Sequence, residues 1–292
     1  MIDYYRITDL LDPEEKQVHS TVLEFVEAEV IPYVADWWEE GGFPEHLAPR
    51  LGNLGLLGAN LPAGHGSANI TNVAYGLIMY ELERADSALR SFASVQGSLV
   101  MYPINAYGSL EQRRQLLPML ASGESIGCFG LTESEGGSDP SAMQTRARRD
   151  GDSYVITGTK MWISNGGIAD LAVIWAKDDD DVVRGFVVPT ESPGFSSRSV
   201  VQKVSLRASD TAELVLEAVR VPVDAMLPGA HGLSAPLACL TQARYGIVWG
   251  SLGALEYVYS EALEFAQGRT TFGRPIAARQ LVQAKLVDML VD

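Results

Sequence analysis

The sequence predicts an α+β protein in which a helical region, a β region and a second helical region follow one another along the chain. Three observations predict it. Up to about residue 125, apolar residues recur at i, i+3 and i+4, the spacing of one helix face. Between about 126 and 228 the period falls to two, in short runs rich in Val, Ile and Thr. From about 229 helical spacing returns and continues to residue 292. The expected division is an N-terminal helical domain (1–125), a middle β-domain that is a barrel or sandwich (126–228), and the start of a C-terminal helical bundle (229–292).

The helical region opens at Asp12-Pro13-Glu14-Glu15, with an Asp cap, Pro in the first turn and acids at the positive helix end. Val18, Val22, Phe25, Val26 and Val30 keep helical spacing up to Pro32. A second helix is expected over Pro44–Leu54, ended by Gly55, and a long third over Asn69 to about Phe92. Met101-Tyr102-Pro103 reads as a break, Ser109-Leu110-Glu111-Gln112 as a new capped start, and Gly123 as its stop. Strands are expected at 154–157, 171–176, 182–188, 195–201 and 213–221, with Asp178–Asp181 a solvated turn between two of them. Ala235–Gln267 reads as one long amphipathic helix and Leu281–Leu290 as the beginning of another.

Composition narrows the function. Apolar residues make up 47%, enough for a sizeable core. A formal net charge of −15 argues against nucleic acid and against an anionic membrane surface, although a local basic pocket remains compatible with it. Cys128 and Cys239 sit among apolar residues and read as buried free thiols. The four histidines show no metal-ligand spacing. No apolar run reaches about 18 residues, the length of a membrane span. The N-terminus lacks a signal-type or Arg-rich leader, so a cytoplasmic protein is expected.

Three stretches carry chemistry. Cys128–Pro140, CFGLTESEGGSDP, joins an apolar run to an acidic Gly-rich turn in which Gly136 and Gly137 permit close backbone approach and Thr132 and Ser138 offer hydroxyls. Such a loop can cradle a polar ring or a diphosphate, although its composition equally suits a plain surface turn. Thr157–Ala176 places Trp162 just ahead of Ser164 and Asn165, and Arg269–Gln280 reads RTTFGRPIAARQ. Glu83, Ser87, Arg90 and Ser94, at steps of four, three and four, share one face of the third helix. Taken alone, Arg90 reads as an ion-pair partner of Glu83 or Asp86.

Together the three stretches resemble the acyl-CoA dehydrogenases, flavoenzymes that introduce a double bond into an acyl-CoA. SVQGSLV, SLRAS and CLTQARYGIVWG make the chain most similar to the glutaryl-CoA dehydrogenases among them. The resemblance implies FAD as cofactor, with Phe129, Leu131, Thr132, Ser138, Trp162, Ile163 and Ser164 about the isoalloxazine. Trp162 would wall one face, and Ser164 stands where the family usually has Thr. Arg269, Phe272 and Gln280 match positions that reach the FAD of a neighbouring subunit. Glu83, Arg90, Ser91 and Ser94 match the region that holds the distal carboxylate of glutaryl-CoA, with Arg90 as its anchor. Leu237 and Arg244 match the segment that contacts CoA, and the resemblance implies that Ser138 also meets the CoA moiety. Oxidation of glutaryl-CoA, loss of CO2, electron transfer to an electron-transfer flavoprotein and a homotetramer are implied with it.

The family's catalytic base, usually a Glu in a YEG-like motif near the C-terminus, has no match in residues 1–292, so no catalytic residue is assigned. The chain is expected to end about a hundred residues short of that motif. Two readings compete with the glutaryl one: an acyl-CoA dehydrogenase of other chain specificity and, without that base, a non-catalytic flavin- or CoA-binding homologue. Glu133 and Glu135 match no base position and are expected to be solvated loop acids.

Overall fold

The computed structural model describes Asp3 and residues 5–292. Helices come first: α1 (Pro13–Glu29), α2 (Val34–Glu40), α3 (Leu47–Asn53), α4 (Asn72–Ala85), α5 (Ser87–Ser94), α6 (Tyr102–Tyr107) and α7 (Leu110–Ser122). Asp12 and Glu15 form a reciprocal cap on α1, Glu15 N–H donating at 2.8 Å and Asp12 N–H at 3.1 Å to each other's carboxylates. Ser109 and Gln112 cap α7 in the same way, and Gly123 ends it in a left-handed conformation.

Three sequence expectations are corrected here. The helix predicted over Asn69–Phe92 is two helices, because Asp86 is extended (φ −161°, ψ 136°) and its carboxylate accepts from Ala88 N–H at 2.7 Å. An Asp able to cap competes with the helix it interrupts. The break predicted at Met101-Tyr102-Pro103 is instead a continuation. A π-helical stretch, Val95–Met101, runs from α5 into α6, and the wide turn precedes Pro103, whose ring and missing N–H break a regular ladder. The helix predicted over 44–54 begins at Leu47, and α2 was not foreseen.

The middle region is a single seven-stranded sheet: β1 (Gly127–Gly130), β2 (Arg146–Asp150), β3 (Ser153–Ser164), β4 (Leu171–Lys177), β5 (Val183–Pro189), β6 (Phe195–Ser199) and β7 (Thr211–Pro222). The order is β1-β4-β2-β3-β7-β6, with β5 on the other side of β4. β1 runs parallel to β4 from Leu171 to Ile174, and β2 meets β4 only at Arg146–Lys177. The sheet curls at that narrow joint around Ile156, Ile174, Phe186, Leu214 and Val219, all fully buried or nearly so. β3 and β7 are antiparallel, with bulges between Ile156 and Gly158 and between Lys160 and Ile163.

Gln96, 0% exposed in the π stretch, ties the two regions together. Its Oε1 accepts from Gly127 N–H at 2.9 Å, and its Nε2 donates to the carbonyls of Leu120 (3.0 Å) and Ser125 (2.7 Å). Three buried backbone groups at the junction are thereby paired.

After the sheet, α8 (Ser234–Gly268) packs on α4, followed by the hairpin β8 (Thr270–Thr271) and β9 (Arg274–Pro275) and by α9 (Gln280–Val291). The α4–α8 contact depends on missing side chains: a Cβ on Gly253 would lie 2.0 Å from Tyr80 O. The other side of α8 exposes Val248, Leu252, Leu255, Val258 and Phe265. Cys128 and Cys239 are buried free thiols, and burial pushes the Cys239 thiol up to about 12. Among the described residues no helix is long and apolar enough to cross a membrane, and no cluster of His, Cys, Asp or Glu could hold a metal.

Candidate active site

A cavity of about 330 Å³ opens where four segments meet. The π stretch contributes Val95 and Leu99. The loop after β1 contributes Phe129, Leu131, Thr132, Gly137, Ser138 and Pro140. The bulged end of β3 contributes Trp162, Ile163 and Ser164, and the first turns of α8 contribute Leu237, Leu240 and Arg244. All seven residues expected about the ring, together with Leu237 and Arg244, therefore line one space.

Trp162 is the strained member. Its φ is 62°, in the left-handed region that a bulky residue rarely enters, and it sits within the second bulge of β3. The bulge turns the indole out of the sheet, and the residue stays 59% exposed at the rim of the cavity. Asn165, also left-handed (φ 63°), secures the strand end by donating from Nδ2 to Gly127 O at 3.3 Å. Met161 N–H donates to Thr132 O at 2.9 Å, so the loop after β1 is joined to β3 beside the bulge. Among the described residues the hydroxyls of Thr132, Ser138 and Ser164 and the guanidinium of Arg244 form no hydrogen bond. They are donors free to meet a ligand. Among the described residues no carboxylate lines the cavity.

Glu135 is exposed, but Glu133 is not the solvated acid expected of it. Only 7% exposed, it pairs with the fully buried Lys160 at 2.7 Å. An acid here and a lysine on a strand otherwise apolar or hydroxylated left a trace in the sequence. Partners 27 residues apart are invisible to local periodicity.

The proposed carboxylate anchor lies apart from the lining residues. Glu83 lies in the last turn of α4 and Arg90 on α5, so the four-residue stripe spans a helix break rather than one continuous helix. The pair still meets: Arg90 Nε donates to Glu83 Oε2, and Ser87 Oγ donates to Glu83 Oε1 at 2.5 Å. Both charged side chains are mostly buried, at 13% and 11% exposure. Ser94 is buried and Ser91 partly so. Beside them Tyr75 and Ser98 hydroxyls meet at 3.1 Å. A Cβ on Gly250 of α8 would lie 2.8 Å from Glu83 Oε2, so α8 closes over the pair. Arg269, Phe272 and Gln280 do not line the cavity; Phe272 is 97% exposed, with the Arg279 guanidinium 6.0 Å from its ring.

Sequence reasoning missed Val95, Leu99, Pro140 and Leu240 as lining residues, whereas Gly137 lies where close backbone approach was expected. Leu99 reaches the cavity because the π stretch sets the side chains at a spacing that no helical template anticipates.

Three family models match the chain: "Acyl-CoA dehydrogenase, N-terminal domain" over residues 12–124, the middle domain over 128–219 and the C-terminal domain over 230–292. The chain is 36% identical to the mitochondrial short-chain specific acyl-CoA dehydrogenase of Bos taurus over 284 residues, 95% of this chain and 69% of that protein. Among solved structures, a glutaryl-CoA dehydrogenase from Mycobacterium smegmatis in complex with FADH2 superposes with a TM-score of 0.96 at 50% identity, covering 98% of this chain and 74% of that one. Butyryl-CoA dehydrogenase from Megasphaera elsdenii gives a TM-score of 0.91 at 29% identity, covering 96% and 76%. The chain, matched along nearly its whole length, belongs to the acyl-CoA dehydrogenase family.

Proposed function

We propose that this chain binds FAD and an acyl-CoA, and that the acyl group is glutaryl. The donor set of the cavity suits a flavin ring: three free hydroxyls at the edges, an indole held outward at one rim, and apolar Val95, Leu99, Phe129 and Leu131 elsewhere. Thr132, Ser138 and Ser164 would hold the ring edge and Trp162 one face. Arg269, Phe272 and Gln280, running from the end of α8 through the exposed hairpin to the start of α9, would serve a second copy rather than their own cavity. A bound flavin supplies the hydride acceptor for α,β-dehydrogenation. Arg244 and Leu237 would meet the CoA portion.

The observation that carries the glutaryl reading is the buried Arg90–Glu83 pair. Only Nε of Arg90 is engaged among the described residues, which leaves the terminal nitrogens for a second carboxylate in bidentate geometry. An acyl chain without that carboxylate would leave those donors desolvated and unpaired. Oxidation to glutaconyl-CoA, release of CO2 to give crotonyl-CoA, electron delivery to an electron-transfer flavoprotein, a homotetramer and a cytoplasmic location complete the proposal. Removal of the α-proton is assigned to none of the cavity residues. A short-chain acyl-CoA is the second reading, favoured by the bovine relative.

The test is binding. The 292-residue chain is loaded with FAD and titrated with glutaryl-CoA and butyryl-CoA while the flavin absorbance is followed. Tighter binding of glutaryl-CoA is expected. Equal affinities would favour the short-chain reading, and failure to take up FAD would end the flavin assignment.

A further inference from the structure

Two walls of the cavity are held together by a buried charged pair. Lys160 stands on β3 immediately before the bulge and is 0% exposed. Its ammonium donates to Glu133 Oε1 at 2.7 Å and to the Leu131 carbonyl at 3.1 Å. Glu133 in turn closes its own loop. Its Oε1 accepts from the Thr145 amide (3.1 Å) and hydroxyl (2.5 Å), and its Oε2 accepts from the Gln144 amide (2.6 Å). The lysine stem passes over Gly130, where a Cβ would lie 3.2 Å from Lys160 Cγ and 2.6 Å from Ile174 Cδ1. Only glycine leaves that passage open.

We propose that the Lys160–Glu133 pair is the positioning element of the cavity: it clamps the loop from Leu131 to Thr145 against the bulged end of β3. It thereby sets the spacing between the hydroxyls of Thr132 and Ser138 and the Trp162 ring. A buried ion pair adds little net stability over apolar residues of the same volume, because desolvation offsets its attraction. What an apolar replacement cannot reproduce is a set of directed bonds to Leu131, Gln144 and Thr145 at once. Burial alone would raise the Glu133 carboxyl. The Lys160 charge, the Gln144 amide and the Thr145 hydroxyl outweigh it and hold the carboxyl below its ordinary range. Desolvation draws the Lys160 ammonium down to about 8 against the pull of Glu133. Both groups are charged at neutral pH.

The inference rests on the flavin reading for its second readout only. In the 292-residue chain, Lys160→Met is compared with the double variant Lys160→Met, Glu133→Gln. The first readout is hydrogen exchange. In Lys160→Met the Met161, Gln144 and Thr145 amides should exchange about tenfold faster or more, with β4 and β5 unchanged. Unchanged protection at all three amides would overturn the proposal. The second readout is FAD affinity by flavin fluorescence. Lys160→Met should bind FAD about tenfold more weakly or worse. The double variant removes the unpaired buried charge, so its thermal midpoint should return toward that of the parent while its FAD affinity stays low. Recovery of FAD affinity together with stability would show that the pair acts through stability alone and would overturn the proposal. If the parent chain takes up no FAD, the flavin reading fails and the exchange measurement decides the clamp by itself.

Discussion

Arg90 and Glu83 form an ion pair across a broken helix: Glu83 stands in the last turn of α4, Asp86 interrupts, and Arg90 returns on α5 to meet it beneath α8. The break gives the guanidinium an approach that one straight helix would not, and it sets the first prediction. Arg90→Met should weaken glutaryl-CoA binding to the FAD-loaded chain by about 3 kcal/mol, roughly a hundredfold, by removing the partner of the distal carboxylate. Butyryl-CoA should bind equally well or better. Calorimetric titration with both ligands checks it. Equal losses would make the pair purely structural.

Trp162 offers a separation of strain from contact. Trp162→Ala removes the indole but keeps a Cβ at φ 62°, whereas Trp162→Gly removes both. The glycine variant should be the more stable of the two by about 1 kcal/mol, since the left-handed penalty disappears. Both should lose FAD affinity alike. Urea unfolding and flavin fluorescence distinguish the two effects.

The pH dependence of Lys160 has a definite sign. Its folded-state pKa, about 8, lies below the unfolded value of 10.5. Between those values the unfolded chain holds the proton that the folded chain has released. Stability contributed by this group therefore rises with pH across that window. Glu133 is the charged group that faces it. Thermal midpoints of the parent and of Lys160→Met should diverge in favour of the parent as pH is raised from 8 to 10.5. Parallel curves would contradict a buried, titrating Lys160.

Gly253→Ala tests the α4–α8 contact. The added methyl would meet Tyr80 O, a backbone atom that cannot swing aside. The overlap should outweigh the helix-propensity gain and cost about 1–3 kcal/mol net. Denaturant unfolding measures it.

Much of this was legible in the sequence wherever the determinant is local. Asp12 and Ser109 announce their helices because the cap and its partner are three residues apart. β7 alternates because one of its faces, with Leu214 and Val219, packs into the core, whereas β4 is an apolar run buried on both faces. The cavity residues were legible only through the family motifs. β2, read RARRD, has almost no apolar residue to set a period, and β1 is too short to show one. Glu133 shows the limit most plainly. Its fate is decided by Lys160 and Thr145, which no local window contains.

From Phe92 to Ser98 every residue is buried, and successive side chains serve different neighbours. Phe92 stacks on Phe43, Val95 faces the cavity, Gln96 holds the domain junction, Gly97 abuts Gly58, and Ser98 meets Tyr75. An ordinary surface helix has a periodic escape: every third or fourth position accepts almost any residue. This run has none. In a saturation library it should emerge as an unbroken block of intolerance, as should Ala74–Leu82 of α4, whereas α1 and α7 should show stripes. A one-residue deletion inside it would be worse than any substitution, because it would reassign each side chain to its neighbour's partner.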